Sequence, residues 1–390
     1  MSYEKKMVKL MNRLPAIEDL RLKARKRMPF VSQEYMEAGT DNEVSLQRNL
    51  DSFSTVSIKP KFLKGSLKPN IKTTLFGQTY NAPFGIAPIG LTGLMWPKAE
   101  IYFAKAAVKY NIPMSLSTVA TETPESVSKH VGNNGWFQLY TPKEIDLTKA
   151  LLERVKAAGF KTLVITVDIP VPSGRQRTKR AGLQMPPKIT ANFIWQGIKH
   201  PAWSIGTIKR GLPRLRTVQD YSEFKSMMSV GAFVTEQLGG NLSWDYVSQI
   251  RDLWDGPVIL KGIMHKEDAL KAVHLGFDGI VISNHGARQF DGCPSSLSAL
   301  QEISPAIKGK TAIIFDSGIR TGLDIMKAIA MGADFVLCGR AYLYGVGALG
   351  EIGPEHTTKI LSNELKNAMI QVGIESMEHL KSLEYKVINP

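Results

Sequence analysis

From residue 84 to residue 338 the chain alternates between two textures, and that alternation narrows the available folds more than any other feature. Short apolar runs rich in β-branched and aromatic residues occur at Phe84–Ala87, Pro113–Ser117, Trp136–Tyr140, Thr162–Val167, Val258–Lys261, Gly279–Ser283, Thr311–Phe315 and Phe335–Cys338. Between them lie longer stretches with helical spacing, among them Lys98–Tyr110, Glu144–Ala158, Lys266–Leu275 and Gly322–Met331. Strands that are apolar throughout are buried on both faces, and when helices join them they form a parallel sheet. Eight such runs predict a (β/α)8 barrel, an α/β fold. Gly159, Gly276 and Gly332 fall where helix C-caps are expected. A doubly wound sheet would need a Gly-rich fingerprint after its first strand, and Pro88-Ile89-Gly90-Leu91-Thr92-Gly93 is not one.

The whole chain, residues 1–390, is therefore read as one barrel domain with two additions. Residues 1–80 supply N-terminal helices and a hairpin. A basic amphipathic helix is expected over 11–30, ending near Met28-Pro29, and a shorter one over Phe30–Glu37 with Gly39 as its C-cap. The turn-rich stretch from Ser57 to Tyr80 predicts a small hairpin covering one end of the barrel. The second addition, residues 175–225, is a long insertion after the fourth strand.

Polar residues cluster at the C-terminal ends of the predicted strands. They are Ser117 and Thr118, Gln138 and Tyr140, Thr166 and Asp168, Lys261, Ser283 and His285, Asp316 to Arg320, and Gly339-Arg340. In a barrel these ends share the face that carries active sites. His285 lies two residues beyond its strand and Arg288 three further on, with Gly286 between them. An imidazole base beside a guanidinium suits proton abstraction from a carboxylate-bearing substrate. Loops seven and eight, Asp316-Ser317-Gly318-Ile319-Arg320 and Cys338-Gly339-Arg340, offer the glycines, backbone N–H groups and arginines of a phosphate site. Ser117, Gln138, Thr166 and Lys261 suit the edge of a planar polar ring such as a flavin. The dispersed histidines and the two cysteines, Cys293 and Cys338, show no metal-ligand spacing.

Together these motifs resemble the FMN-dependent 2-hydroxy-acid oxidising enzymes, from about Lys23 to about Met377. The segments that carry the likeness are Ser283–Asp291 (SNHGARQFD), Phe137–Tyr140, Thr166–Asp168, Val258–Gly262, Asp316–Arg320 and Cys338–Arg340. The resemblance implies FMN as cofactor and oxidation of an L-2-hydroxy acid to the 2-oxo acid. It implies His285 as base with Asp168 as its partner, Tyr140 facing the substrate hydroxyl, and Tyr35, Arg175 and Arg288 on the carboxylate. Lys261 falls at the flavin pyrimidine side, and Pro88, Ile89, Gly90, Ser117, Gln138, Thr166 and Ser283 at the ring. Asp316, Gly318, Arg320, Gly339 and Arg340 fall at the ribityl phosphate. Within the family the quinone-linked lactate and mandelate dehydrogenases match best, through Gly90, Val119 and the stretch from Trp244 to Pro257. A homotetramer is implied as well. Thr178, Met36 and Phe290 depart from the residues usual in the family.

Composition bears on location and partners. The chain is 43% hydrophobic and 22% charged, as soluble globular proteins are. Two cysteines exclude a disulfide framework and suit a reducing compartment. MSYEKKMVKLMNRL lacks the apolar core of a secretory signal. No run approaches the ~18 apolar residues of a spanning helix. The net charge of +14 is spread without finger, RNP or helix-turn-helix spacing, which argues against nucleic acid. Much of the excess falls in residues 175–225, with eleven Lys and Arg against Asp220 and Glu223. Phe193, Ile194, Trp195, Ile198, Trp203 and Ile205 are interleaved with those charges. That mixture predicts a lid whose outer part lies on anionic lipid, passing electrons to a membrane quinone. The expected location is the cytoplasm, peripheral on the inner face of the cell membrane.

Overall fold

The computed structural model describes residues 2–183, 190–221, 238 and 242–388, with the backbone alone at 192 and 193. Eight parallel strands close a barrel: β1 (Phe84–Ile86), β2 (Met114–Ser117), β3 (Gly135–Tyr140), β4 (Thr162–Thr166), β5 (Val258–Ile263), β6 (Gly279–Ile282), β7 (Ala312–Phe315) and β8 (Phe335–Cys338). Each lies within two residues of its predicted run. β8 pairs back onto β1 through Leu337 and Gly85, so no edge is left open.

Two side-chain sets fill the structure. Leu75, Tyr80, Trp136, Val164, Ile259, Val281, Ile314 and Phe335 form one buried cluster inside the barrel. The predicted hairpin, strands Thr73–Leu75 and Gln78–Tyr80, closes that end. Phe76 meets Trp136 with ring centroids 6.1 Å apart, and Tyr80 accepts a 3.2 Å hydrogen bond from the Trp136 indole. The larger cluster lies between barrel and outer helices. A short antiparallel pair, Val56–Ile58 with Tyr385–Val387, joins the segment that follows the N-terminal helices to the C-terminal segment.

The N-terminal helices differ from expectation. Instead of one helix over 11–30 there are two, α1 (Tyr3–Arg13) and α2 (Ile17–Arg27). Pro15 explains the break, because it disfavours helical backbone at Leu14 and offers no N–H to continue the ladder. The Asp19 carboxylate then caps α2 by accepting from the Ala16 N–H at 3.0 Å. α3 (Phe30–Glu37) has the predicted bounds, but Gly39 is not its left-handed cap. Glycine is needed there because a Cβ would lie 2.9 Å from the Ala287 carbonyl oxygen, in the loop after β6. α2 packs against the helix that follows β8, Arg340–Leu349, where Gly347 lets Met28 and Ala24 come close.

Candidate active site

The loop after β6 is unusual before any chemistry is considered. His285, Gly286 and Ala287 all have positive φ, at 58°, 63° and 59°. Two of the three carry a Cβ, so this backbone is strained and persists only when its surroundings fix it. They do. His285 N–H donates to Ser283 Oγ, Gly286 N–H to Ser317 Oγ, and Ala287 N–H to the Asn284 carbonyl, each at 3.0 Å. Asn284 is locked to Asn49 by reciprocal amide bonds of 2.8 and 2.9 Å, both side chains being buried. Asn49 was not read from the sequence, since nothing in its helix spacing distinguishes a supporting amide from a surface one.

The strained turn aims His285 at Asp168, with Nδ1 to Oδ1 at 2.9 Å. Gly262 makes room, because a Cβ there would lie 2.5 Å from the Asp168 carboxyl carbon. Burial tends to raise the Asp168 pKa, but the charge and hydrogen bond of His285, with Lys261, outweigh it and hold the carboxyl below its ordinary value. Burial pulls the His285 pKa below the ordinary imidazole value, against the opposing pull of Asp168. An ionised carboxylate only accepts, so Nδ1 carries the hydrogen and the lone pair of Nε2 faces the cavity. There Nε2 meets the Tyr140 hydroxyl at 3.4 Å. Burial, and then the Asp168 charge, raise the Tyr140 pKa and keep the phenol protonated.

Two arginines grip the end of α3. Arg288 Nη1 donates to the carbonyls of Tyr35 and Ala38, both at 2.8 Å. Arg340 donates to Met36, Ala38 and Gly286 carbonyls, each at 3.1 Å. Guanidiniums thus satisfy carbonyls that a helix C-terminus leaves without partners. Arg288 also lies over the Tyr35 ring, 4.9 Å from its centroid. Burial, with Arg175 adjoining, pulls the Arg288 pKa down to about 9. Its Nε and Nη2 have no partner among the described residues. Arg175 donates to Ser173 Oγ and Gln289 Oε1.

These groups open into a cavity of about 640 Å³ at the C-terminal mouth of the barrel, within the roughly 300–1,000 Å³ of small-molecule sites. Tyr35, Pro88, Ile89, Gly90, Gln138, Tyr140, Thr166, Arg175, Lys261, His285, Arg288, Asp316, Gly318, Arg320, Gly339 and Arg340 all line it. Three predicted residues stand behind the wall. Ser117 donates to Gln138 Oε1 at 2.7 Å, Ser283 accepts from Lys261 and from the His285 N–H, and Asp168 backs His285. Gln138 in turn donates to Thr166 at 2.9 Å, and Lys261 pairs with Asp316 at 2.8 Å. The sequence reading missed Lys143, Pro170, Val171 and Leu238 at the mouth. They belong to loops, where no periodicity marks which side chains turn inward.

The cavity suits a flat, phosphorylated cofactor. A ladder of polar groups from three strands forms one end, and at the other Gly339 opens towards Ala87 with no other heavy atom within 4 Å of where a Cβ would sit. The family model for FMN-dependent dehydrogenases matches residues 24–386. The chain belongs to the FMN-dependent dehydrogenase family. An L-lactate dehydrogenase of Pseudomonas aeruginosa (strain LESB58) is 38% identical over 373 residues, covering 95% of this chain and 97% of that one. One from Chromohalobacter salexigens is 38% identical over 371 residues, 95% of this chain and 94% of that one. Among solved structures, the monotopic membrane protein (S)-mandelate dehydrogenase superposes with a TM-score of 0.90 at 31% identity, over 95% of this chain and 99% of that one. A mandelate oxidase gives 0.82 at 29%, over 96% and 99%. This FMN-dependent dehydrogenase is thus an oxidoreductase whose electron chemistry resides on FMN.

The insertion after β4 is partly described. Helices Ala191–Lys199 and Pro201–Arg210 form a hairpin. Its apolar residues divide by helical spacing. Trp203 is only 4% exposed and packs inward, whereas Ile194, Trp195, Ile198 and Ile205 are more than half exposed, as is Ile208. Arg210 anchors the hairpin through a two-pronged bond to the buried Glu122, just after β2. The Phe193 side chain, Lys188, Glu223 and Lys225 lie outside the described residues. No helix among the described residues is long and apolar enough to cross a membrane.

Proposed function

We propose that this enzyme oxidises an L-2-hydroxy acid, L-lactate first among them, to the 2-oxo acid and delivers the electrons to a membrane quinone. The observation that carries the proposal is the pairing of a neutral His285, backed by Asp168, with a carboxylate clamp in one buried cavity. Oxidation removes two electrons and two protons from the substrate carbinol. His285 Nε2 takes one proton, and Asp168 stabilises the resulting imidazolium. Arg288 and Arg175 hold the carboxylate beside the Tyr35 hydroxyl, whose one hydrogen turns from the Gly90 carbonyl to the substrate, and Tyr140 donates to the oxygen that becomes the carbonyl. FMN, when bound, would accept the two electrons together with the second proton. Gln138, Thr166 and Lys261, with the 88–90 backbone, would hold its ring, while Asp316, Gly318, Arg320, Gly339 and Arg340 would hold its ribityl phosphate.

A second reading keeps the chemistry and enlarges the substrate. Met36, Val119, Ile169, Val171 and Leu238 give the mouth an apolar wall, which would accept an aromatic or longer aliphatic side chain. Anaerobic bleaching of the flavin with L-lactate, D-lactate, glycolate, L-mandelate and 2-hydroxyoctanoate separates the two. The highest kcat/KM with L-lactate supports the first reading and with mandelate the second. A flavin that none of them bleaches would end both.

The exposed apolar face of the insertion hairpin and the basic excess around it support a peripheral seat on anionic lipid, at the inner face of the cell membrane. That seat brings the enzyme to its quinone. A homotetramer belongs to the same proposal, and light scattering of the purified enzyme checks it.

A further inference from the structure

One carbonyl joins three parts of this molecule. The Leu94 oxygen accepts from Trp203 Nε1 at 2.9 Å and from Ser32 Oγ at 2.7 Å, and all three residues are buried. Trp203 belongs to the insertion, Ser32 to α3, and Leu94 to the turn after β1 that begins at Gly90. α3 docks on that turn a second time, because Tyr35 donates its hydroxyl to the Gly90 carbonyl at 3.1 Å. Ser32 and Tyr35 are three apart on one helix face, so the two bonds set both the height and the rotation of α3. Pro97, continuing from the same turn, packs against Gly206 one helical turn beyond Trp203. The far end of α3 is gripped by Arg288 and Arg340. Its near end has Ser32, whose acceptor is held in place by Trp203.

We infer that Trp203 is a positioning residue for the substrate clamp. By donating to the Leu94 carbonyl it fixes the turn on which α3 rests, and so the pose of Tyr35 beside the substrate carboxylate. The inference rests on the reading of Tyr35 as part of that clamp. It makes the insertion a structural member of the active site, independent of what its outer face touches. His285 and Asp168 stand on the loops after β6 and β4 and take no part in the junction. Loss of the Trp203 bond therefore weakens substrate binding and leaves the proton-transfer step alone.

The test uses FMN-loaded full-length enzyme and stopped-flow reduction by the best substrate of the panel. Trp203→Phe keeps an aromatic ring in place, removes the donor and leaves a small cavity, for which Ser32→Ala, acting on the same carbonyl, is the control. Substrate Kd is expected to rise about 3- to 10-fold, the range of one net hydrogen bond, with the limiting reduction rate within about twofold of wild type. Ser32→Ala should give the same split and provides a second reading should Trp203→Phe fold poorly. In a Tyr35→Phe background, Trp203→Phe should add almost nothing, because both act on the same contact. An unchanged Kd in Trp203→Phe, where Tyr35→Phe does raise it, overturns the inference alone. So do fully additive effects or a fall in limiting rate equal to the rise in Kd. A Tyr35→Phe enzyme with wild-type Kd overturns the clamp reading and this inference together.

Discussion

His285 sets the pH response expected of the enzyme. Burial lowers its pKa and Asp168 partly restores it, so the neutral base is present at neutral pH. The rate of flavin reduction should therefore rise with pH through an apparent pKa below the ordinary imidazole value of about 6.5 and stay flat above it. Asp168→Asn removes the charge that raises the imidazole pKa, so the inflection should move to still lower pH while the plateau falls. A rate still climbing above pH 8 would assign the base elsewhere. His285→Ala should keep its yellow colour and lose roughly 10²–10⁴-fold in reduction rate, whereas survival within tenfold would remove His285 from that role. Arg288→Lys keeps the charge yet loses the Nε and Nη2 fork left over for a carboxylate once Nη1 has bonded Tyr35 and Ala38, so the apparent substrate affinity should drop. Unchanged affinity would take Arg288 out of the clamp. Most of these residues were legible in the sequence because barrel strands end on one face whatever lies between them. Depth was not legible. Ser117 and Ser283 occupy the same kind of strand-end position as Gln138 and His285, yet they stand one layer back, since strand order does not say which side chain reaches the cavity.

At the scale of elements, the strands were readable because burial on both faces leaves an unbroken apolar run. The insertion was readable only as composition. Its charges and aromatics were visible, but the division between inward Trp203 and outward Ile194, Trp195 and Ile198 depends on where two short helices begin. Likewise, the helix expected over 11–30 ran through the break at Pro15 and left most of α1 unread, because Lys and Arg on both sides of the proline continue one basic pattern. The Arg210–Glu122 pair offers a handle on the hairpin. Glu122 is 3% exposed and Arg210 about a third, so Glu122→Gln should cost about 1–3 kcal/mol of local stability. Faster proteolytic cleavage near 200–211 is expected, with the barrel intact by circular dichroism. A cleavage rate equal to wild type would show the hairpin to be held by other contacts.

For the molecule as a whole, much of the +14 charge sits in the 175–225 insertion. If the hairpin face meets anionic lipid, binding to phosphatidylglycerol vesicles should weaken as salt rises. Replacing 188–216 by a short linker should abolish it, and turnover with a quinone analogue should exceed turnover with oxygen. Equal partitioning of the intact and shortened proteins would remove the membrane from the account without touching the chemistry.

The antiparallel pair of Val56–Ile58 with Tyr385–Val387 spans nearly the whole barrel in sequence. Ser57 and Lys386 are bonded across 329 residues of sequence. During synthesis that contact cannot form until residue 386 has left the ribosome, by which time every barrel strand has been free to collapse on its neighbours. Contacts this distant are slow to find, since the entropy of closing the loop is lost before the contact rewards it. The pair is therefore a late clasp on a barrel already assembled. A chain stopped at residue 384 should refold at nearly the wild-type rate, unfold faster, and expose its N-terminal helices to protease first.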